Sequence, residues 1–451
     1  MEQDSQSESR IVAKEVIESL RASGQPPKLG ARWINVGTDK LLGQIVSDFL
    51  EDQCIRDAGR DGGAWCRWIE GDYGNGKTQF LRCVRELAWD RGFVVAFVEL
   101  DHKTSPLDDM RTVFAAVARA LQAPPSSSAE VDRDKGFDTV LTSLLDKKFP
   151  GLLTGMPDEG LKKVALDWID QSFRRTPVEI KPIAQAAAKF LRAIIEGDSA
   201  TEDLTRVFLR GGDVPSARLN KIDIFFKKFD KSNALDVLKS VTQLLQRSGL
   251  ATGTIILFDE ARRTLSLMSM RGRKEACENL VSIINACHQN GFPGTMFLYA
   301  VMPEFFTDFA IQYPALQQRC GDATRININR FDKKDKKDEK GEEHDELKVL
   351  ADIADKIRHV YCTAYELTSL SDGDQSALAN AFSQLAQSAL RDSMGAGTRR
   401  LLVRTTVAYL DRFREDGKLA ELTAVAADSM SKQCGEELNT SAANSQSSDG
   451  E

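Results

Sequence analysis

Residues 71–78 constrain the fold of this chain more than any other stretch of its 451 residues. They match the pattern G-x-x-x-x-G-K-[ST], and the eight residues are Gly71, Asp72, Tyr73, Gly74, Asn75, Gly76, Lys77 and Thr78. An apolar run at 64–70 precedes the pattern, and apolar residues at helical spacing follow it. This pattern binds phosphate groups when it lies between a strand and a helix. A chance match in a glycine-containing turn is the alternative, and the flanking strand and helix argue against it.

Each kind of residue in this loop has a physical role. Gly71, Gly74 and Gly76 allow the backbone to turn tightly and to approach a ligand closely. Backbone N–H groups and the positive end of the following helix dipole attract phosphate. We expect Lys77 to reach the β- and γ-phosphates of ATP, and the Thr78 hydroxyl to bind Mg²⁺. The loop therefore predicts ATP and Mg²⁺ as cofactors.

A second motif lies at 254–260, where four apolar residues are followed by Asp259 and Glu260. A buried strand with this pattern brings Asp259 to the Mg²⁺ site. Glu260 follows directly and is placed to activate a water molecule. Two acids at the end of a strand are a weak signal alone, but downstream of a phosphate loop they predict hydrolysis.

The rest of a sheet is predicted by three apolar runs, at 93–100, 254–259 and 295–301, and by 325–329, which looks like one more short strand. Nearly continuous apolar runs are typical of strands that are buried on both faces of a parallel sheet. Helical patterns separate the runs, so we predict an α/β domain with a parallel sheet flanked by helices. Upstream, an extended segment ends at Val36 and Gly37, and we expect these two residues to pack against adenine. An ordinary loop and helix is the alternative for that segment.

Residues 123–231 show helical patterns with little strand signal, which predicts a helical insertion. The basic pairs Arg174-Arg175 and Lys227-Lys228 within it are interpreted as solvated surface. A helical carboxyl-terminal domain follows the core. The predicted division is 1–30 (helix and polar arm), 31–122 (first part of the core), 123–231 (insertion), 232–331 (second part of the core), 332–430 (helical lid) and 431–451 (disordered acidic tail).

Composition excludes several classes of protein. The net charge of −7 argues against a chain that coats nucleic acid. We find no secretory signal and no apolar stretch of membrane-spanning length, so we expect a cytoplasmic protein with no membrane partner. The eight scattered cysteines predict reduced thiols, and the four histidines lack metal-ligand spacing, so no zinc site is expected.

The order of motifs resembles one known family. It runs from 16–21 through Asn35-Val36-Gly37, the loop at 71–78, Phe258-Asp259-Glu260, Pro303-Glu304-Phe305-Phe306 and 315–319 to the arginine-rich stretch at 399–404. This order is similar to that of the AAA+-related ATP-binding proteins of bacterial BREX-type phage-defence loci. The resemblance covers roughly residues 10–122 and 232–415, and it implies an AAA+-like P-loop NTPase fold with a helical lid over the nucleotide.

The resemblance also implies roles for three arginines. Arg319 would be an arginine finger that reaches the γ-phosphate of a neighbouring subunit, and Arg400 would be a lid arginine on the bound nucleotide. Arg404 would pair with a nearby acid. Arginine suits such roles because it is always charged and fork-shaped. A surface salt bridge is the alternative for each.

The chain departs from this family at the strand beside the Asp-Glu strand. AAA+ proteins usually carry a polar residue at its end, which helps to orient the attacking water, but here Val301 and Met302 occupy that place. Either Thr295, Tyr299 or Glu304 substitutes for it, or hydrolysis is slow.

Three hypotheses follow. In the first, the protein is an ATPase that acts as a homo-oligomer on double-stranded DNA or on other defence-system proteins. In the second, it is a nucleotide-dependent switch or scaffold with little turnover, which the Val301-Met302 departure favours. In the third, it is an initiator or loader that grips duplex DNA through its helical carboxyl-terminal domain.

Overall fold

The computed structural model describes residues 2–52, 63–100, 106–125, 135–153, 158–259, 268–328, 346–367, 372–392, 397–416 and 422–447. Within them the protein is a mixed α/β structure with a six-stranded, mostly parallel sheet flanked by helices. Chain contacts divide it into two compact units. Unit 1 comprises Met1–Gly43, Glu70–Glu86 and Asn327–Glu451, and unit 2 comprises Gln44–Ile69 and Leu87–Ile326.

The sheet has the strand order β3-β2-β4-β5-β1-β6. Its strands are β1 (Trp65–Glu70), β2 (Val94–Glu99), β3 (Leu121–Gln122), β4 (Thr254–Asp259), β5 (Thr295–Val301) and β6 (Arg325–Asn327). Strand β4 pairs in parallel with both β2 and β5, and Asp259 lies level with Glu99 and Ala300. Every residue of β4 and β5 is buried, as the continuous apolar runs predict.

The sequence predicts five of these six strands. The sixth, β3, pairs antiparallel with β2 through two residues, Leu121 and Gln122. So short a strand has no periodicity, and its pairing with β2 is a long-range contact that no local pattern encodes. The predicted α/β class is confirmed, and the assignment to P-loop NTPases stays a prediction.

Unit 2 surrounds the sheet with helices, and aromatic rings fill its core. Tyr299 of β5 stacks on Phe258 of β4 with ring centroids 4.7 Å apart, and Trp68 of β1 lies 5.0 Å from Tyr299. Its helices are α4 (Met110–Ala120), α5 (Phe137–Lys148), α6 (Glu159–Gln171), α7 (Lys181–Glu196), α8 (Ser199–Leu209), α9 (Ser216–Asn220), α10 (Ala234–Arg247), α11 (Met270–His288) and α12 (Pro314–Gln317). The described residues of 123–231 contain helices and no strand, and their assignment as an insertion stays a prediction.

Unit 1 is helical around a separate apolar core. Its long helices are α1 (Glu2–Ser23), α13 (Glu346–Tyr365), α14 (Asp372–Asp392), α15 (Thr398–Asp416) and α16 (Ala424–Ser447), and a 3₁₀ turn covers Ala31–Ile34. Helix α2 (Asp39–Ile45) and helix α3 (Lys77–Trp89) begin in unit 1 and end in unit 2. Helices α1, α13 and α15 pack against one another.

A polar cluster joins these three helices. Asp411 of α15 accepts hydrogen bonds from Arg21 of α1 at 2.7 and 2.9 Å and from the Tyr361 hydroxyl of α13 at 2.6 Å. Burial alone would raise the pKa of Asp411, but the hydrogen bonds from Arg21 and Tyr361 outweigh it and hold the pKa below its usual range. The carboxylate therefore stays charged while it is partly buried.

The helical unit extends further along the chain than the sequence predicts. A disordered tail was expected from residue 431, yet α16 continues to Ser447. Met430, Cys434 and Leu438 recur every four residues and are buried in the unit 1 core. The stretch is rich in Ser and Asn, so its single row of apolar residues at four-residue spacing was not recognised in the sequence. Among the described helices, none combines the length and the apolar character that crossing a membrane requires.

Candidate nucleotide-binding site

The loop at 71–78 connects strand β1, which ends at Glu70, to helix α3, which begins at Lys77. Gly74 and Gly76 have φ angles of 83° and 87°, a region that residues with a side chain rarely adopt. At Gly71 the limit is space, because a Cβ atom there would lie 2.7 Å from Cγ1 of Ile328. Backbone conformation therefore favours glycine at 74 and 76, and the space beside Ile328 favours it at 71.

Lys77 turns back into this loop. Its Nζ atom donates hydrogen bonds to the carbonyl oxygens of Gly71 at 2.7 Å and Asp72 at 2.9 Å. The side chain is buried, with 9% of its surface exposed. The ammonium group is thus held by two carbonyl groups of a glycine-rich turn and adds a positive charge to the loop. Tyr73 lies at the outer side of the loop and is exposed.

The amino end of α15 lies against the same loop. A Cβ atom on Gly74 would come within 3.1 Å of Cα of Gly397, so the two backbones meet where neither residue has a side chain. Nη1 of Arg399 donates to the carbonyl of Asn75 at 2.9 Å. The loop is therefore flanked by a second helix amino terminus and a second cation within unit 1.

Arg400 lies elsewhere. Its Nε atom donates to the carbonyl of Ser23 at 2.7 Å, at the carboxyl end of α1, and the Arg400 backbone packs against Gly24. Arg404 hydrogen-bonds to Glu437 of α16, which is an acid partner of the kind expected for it. The family resemblance implies Arg400 as the lid arginine, whereas the arginine that hydrogen-bonds to the loop at 71–78 is its neighbour Arg399.

Helix α3 holds the segment 26–32 through hydrogen bonds to its backbone. Gln79 donates to the carbonyl of Ala31 at 2.6 Å, and Glu86 accepts from the N–H groups of Ala31 at 2.8 Å and Arg32 at 3.3 Å. Two arginines on the same face of the helix donate to further carbonyls of this segment, Arg82 to Pro26 and Arg85 to Lys28. Sequence reasoning missed all four side chains, because it treated α3 only as an apolar stripe.

The buried carboxylate of Glu86 is the centre of this contact. Burial raises its pKa, and the two backbone N–H donors and the nearby arginines only partly offset that rise. A buried acid with two backbone donors fixes the position of the segment that it binds. The helix that follows the phosphate loop thereby positions the chain that leads to Val36 and Gly37.

Val36 and Gly37 follow that segment. Asn35 accepts a hydrogen bond at its carbonyl from Lys356 of α13 at 2.7 Å, and its side chain accepts from the Thr38 hydroxyl at 2.6 Å. Val36 is half-buried against the unit 1 core, and Gly37 has a φ angle of 80°. The turn at 35–38 is thus fixed on both sides.

The acidic motif lies in unit 2. Asp259 is the last residue of β4 and is 4% exposed, at the carboxyl end of the sheet where ligands of α/β proteins gather. Glu260, the predicted base, lies outside the described residues.

Strand β5 lies between β4 and β1, so it is the strand on which a water-orienting polar residue was sought. Its last residue, Val301, is buried. Thr295 pairs with Thr254 at the opposite end of the strand, and its hydroxyl donates to Pro293, so it is excluded as the substitute. The Tyr299 ring is enclosed in the aromatic core, whereas Glu304 is exposed just beyond the strand.

Arg319, the predicted arginine finger, is half-buried in unit 2. Its Nε atom donates to the side chain of Asn285 on α11 at 2.9 Å, and Nη1 donates to the carbonyl of Ala315 at 2.6 Å. Both partners belong to its own chain. A role on a neighbouring subunit therefore requires this side chain to leave these two acceptors.

The described cysteines are free thiols, and most are buried. Burial raises the pKa of the Cys277, Cys287 and Cys320 thiols to about 12. They are therefore protonated at neutral pH and poor nucleophiles. Cys54 lies outside the described residues.

Together, the fold and the site define a mixed α/β protein with a glycine-rich candidate phosphate loop between a strand and a helix. The family model of the BREX system ATP-binding protein BrxC/D matches residues 9–426, and the chain belongs to this family. The match includes residues 123–231, which the resemblance seen in the sequence left uncovered. No curated protein and no solved structure matches the chain. The family supports ATP binding and a role in BREX phage defence.

Proposed function

We propose that this protein binds Mg·ATP at residues 71–78 and hydrolyses it as part of a BREX phage-defence system. The observation that carries the proposal is the loop itself, with Lys77 turned into a glycine-rich turn and Arg399 bonded to Asn75. Two cations and two helix amino termini converge there, which suits a triphosphate. Membership of an ATP-binding family supports the choice of ATP.

In the proposed mechanism the chain's own groups stabilise charge. Backbone N–H groups of 74–78 and the Lys77 ammonium hold the phosphate oxygens, and Arg399 adds a cation from the lid side. Thr78 and Asp259 are the proposed Mg²⁺ ligands, since a hydroxyl and a carboxylate are oxygen donors of the kind that Mg²⁺ prefers. Glu260 accepts a proton from the attacking water. Catalysis would then be mainly electrostatic.

Val36 and Gly37 are the proposed adenine contacts. The support is that helix α3, which begins within the phosphate loop, also fixes the segment leading to them through Glu86 and Gln79. One rigid helix would thereby set the distance between the phosphate and base ends of the nucleotide. Arg319 keeps its proposed role as a trans finger, which requires a change of partner. Arg399 takes the proposed role of lid arginine, and Arg400 takes it only if the lid rearranges around the nucleotide.

Two variants test the proposal. Lys77→Ala should abolish ATP binding measured by calorimetry, and Glu260→Gln should bind ATP but release no phosphate. Lys163→Ala, an exposed lysine of α6, is the control and should match the wild type in both assays. If Glu260→Gln releases phosphate at the wild-type rate, the base assignment is wrong. If Lys77→Ala binds ATP normally, the loop is not the site.

A switch with little turnover is the second candidate. The observation that favours it is the apolar end of β5, where Val301 is buried and Thr295 lies at the far end of the strand. Purified protein that binds ATP tightly but releases phosphate more slowly than about one per minute would support the switch, because typical enzymes turn over at about 1–1,000 per second.

The proposed partners are further copies of this chain, other proteins of the defence system and double-stranded DNA. Duplex binding through the helical carboxyl-terminal region, as in an initiator or loader, predicts an affinity that falls steeply with salt. Binding measured at two salt concentrations, with and without ATP, distinguishes a loader from a protein that acts only on other proteins.

A further inference from the structure

One aromatic side chain of the insertion is exposed although its apolar neighbours are buried or half-buried. In the segment 224–229, Ile224 is fully buried, Phe229 is 4% exposed and Phe226 is half-buried, but Phe225 is 70% exposed. A single exposed apolar residue is common on protein surfaces. Phe225, however, is close in sequence to several exposed cations.

The buried members of the segment hold it firmly on unit 2. The Phe229 ring stacks on Phe208 of α8 at 4.8 Å and lies 5.5 Å from Phe114 of α4. Phe226 meets Phe208 edge-on at 5.2 Å. Among the described aromatic residues, Phe225 has no ring partner. Packing of Phe226 and Phe229 therefore holds the backbone near Phe225 in place, whereas the exposed Phe225 ring buries little surface and contributes little to stability.

Four cationic residues lie close to Phe225 in the sequence, two before it and two after it. Arg218, Lys221, Lys227 and Lys228 are all exposed, and no side-chain ion pair involves them among the residues that the structure describes. We call these four residues and Phe225 the insertion surface. Its charge stands out in a chain whose net charge is −7.

The two acids within this stretch are engaged by other groups. Asp223 pairs with Lys189 of α7 at 3.5 Å. Asp230 accepts hydrogen bonds from the hydroxyl and N–H of Ser232, and these lower its pKa together with the charge of Lys228. The carboxylates thus neutralise the insertion surface only in part.

We propose that the insertion surface binds single-stranded nucleic acid. Proteins hold single strands by combining cations that follow the phosphates with aromatic rings on which bases stack. Unpaired bases can stack on an exposed ring, whereas the bases of a duplex are already stacked on each other. The ring therefore favours a single strand over a duplex, and the cations favour a nucleic acid over an apolar protein partner. This site lies within unit 2 and does not depend on ATP hydrolysis.

The insertion contains a matched basic pair without such a ring. Arg174 and Arg175 are exposed, but the adjacent Phe173 is fully buried. If charge alone caused binding, removing either basic pair would have a similar effect. If the ring matters, only the insertion surface should respond.

The experiment uses the full-length protein and a fluorescently labelled oligothymidylate of about 20 nucleotides, longer than a typical single-strand site. Anisotropy is measured between about 50 and 200 mM salt, with a duplex of equal length in parallel. Phe225→Ala should weaken single-strand binding roughly five- to 150-fold, which corresponds to the loss of one stacked base. Lys227→Ala with Lys228→Ala should weaken binding and reduce the salt slope by about 1.4. Arg174→Ala with Arg175→Ala should change neither.

Two more variants separate stacking from bulk. Phe225→Tyr should retain binding, whereas Phe225→Leu should lose it although the side chain stays apolar. Thermal unfolding should be unchanged in both. Wild-type protein that fails to bind the single strand, or Phe225→Ala that binds as tightly as the wild type, would overturn the proposal. Equal binding of duplex and single strand by all ring variants would show charge attraction alone and would overturn it as well.

Discussion

Arg399 and Arg400 are adjacent in sequence but bind different partners. Both lie in the first turn of helix α15, and consecutive residues of an α-helix point about 100° apart. One guanidinium therefore reaches the carbonyl of Asn75 in the phosphate loop, and the other reaches Ser23 at the end of α1. The arginine-rich motif was visible in the sequence, but the choice between its members depends on the rotation of a helix, which only packing fixes.

We expect Arg399→Ala to lower ATP affinity by about tenfold, because a hydrogen-bonded cation beside the phosphates would be lost. Arg400→Ala should leave affinity within about twofold and instead lower thermal stability. Calorimetric titration and thermal unfolding of both variants measure the two effects. If Arg400→Ala is the variant with weak ATP binding, the lid rearranges around the nucleotide and Arg400 takes the role that the resemblance implies.

The lowered pKa of Asp411 leads to a prediction of how the stability of the fold depends on pH. Its pKa is lowered in the folded protein, so its contribution to stability is complete above the ordinary aspartate pKa of about 3.9 and is lost as pH falls through the folded value. Asp411→Asn should lower the free energy of unfolding by about 1–3 kcal/mol at pH 7, because the charged partner of Arg21 and Tyr361 is removed.

Denaturant unfolding between about pH 3 and 7 is the measurement, and the difference between wild type and Asp411→Asn should shrink below about pH 4. Asp428→Asn is the control, since Asp428 pairs with the largely exposed Arg391 at 3.0 Å. Exposed pairs contribute about 0–1 kcal/mol. A constant difference at all pH values would contradict the assignment of this effect to the Asp411 carboxylate.

Among the elements, helix α3 combines two tasks. Its first turn belongs to the candidate phosphate loop at 71–78, and its later turns bind the backbone of 26–32 through Glu86 and its neighbours. Glu86→Ala should therefore weaken ATP binding more than binding of inorganic tripolyphosphate, because the base end loses its positioning while the phosphate loop remains. We expect a loss of about tenfold for ATP.

Competition against a fluorescent nucleotide gives both affinities, and Glu366→Ala on the unit 1 surface is the control. Equal losses for ATP and tripolyphosphate would mean that Glu86 supports the phosphate loop itself. No loss for either would show that the segment 26–37 takes no part in binding.

Helix α16 shows where an apolar pattern was overlooked. Leu438 is 2% exposed, so Leu438→Ala should cost about 2–5 kcal/mol of stability through lost burial and the cavity left behind. Glu436→Ala, at an exposed position of the same helix, should cost less than about 0.5 kcal/mol. Thermal unfolding of the two variants measures this difference. Equal stability of both would mean that the chain beyond residue 430 is dispensable, as its composition suggested.

For the whole molecule, the strands of the sheet were easier to predict from the sequence than the hydrogen bonds between residues far apart in the chain. Strands β2, β4 and β5 were predictable because each is a nearly continuous apolar run, and β1 because a short, mostly apolar run precedes the glycine-rich loop at 71–78. The hydrogen bonds of α3 to 26–32 and of Arg399 to Asn75 could not be predicted, since they join residues far apart in sequence. Such contacts follow from packing, and a single sequence records packing only indirectly.

At the scale of the whole molecule, we predict that copies of this chain assemble into an oligomer. If Arg319 acts on a neighbouring subunit, it must exchange Asn285 and Ala315 for that neighbour's nucleotide. Phosphate release per subunit should then rise with protein concentration, and Arg319→Ala should abolish the rise without changing ATP affinity. Steady-state assays over a wide concentration range, together with sedimentation, measure this. Turnover per subunit that is independent of concentration would exclude a finger in trans.

The contact between α3 and the segment 26–32 has an evolutionary consequence. In these five hydrogen bonds the partner on the segment side is a main-chain group, which any amino acid supplies except that proline lacks the N–H. The positions of 26–32 other than the buried Pro27, Gly30 and Ala31 can therefore change while the segment keeps its place, provided that Gln79, Arg82, Arg85 and Glu86 are retained. Substitution scanning should find these more exposed positions tolerant, and Gly30, Ala31 and the opposing face of α3 intolerant.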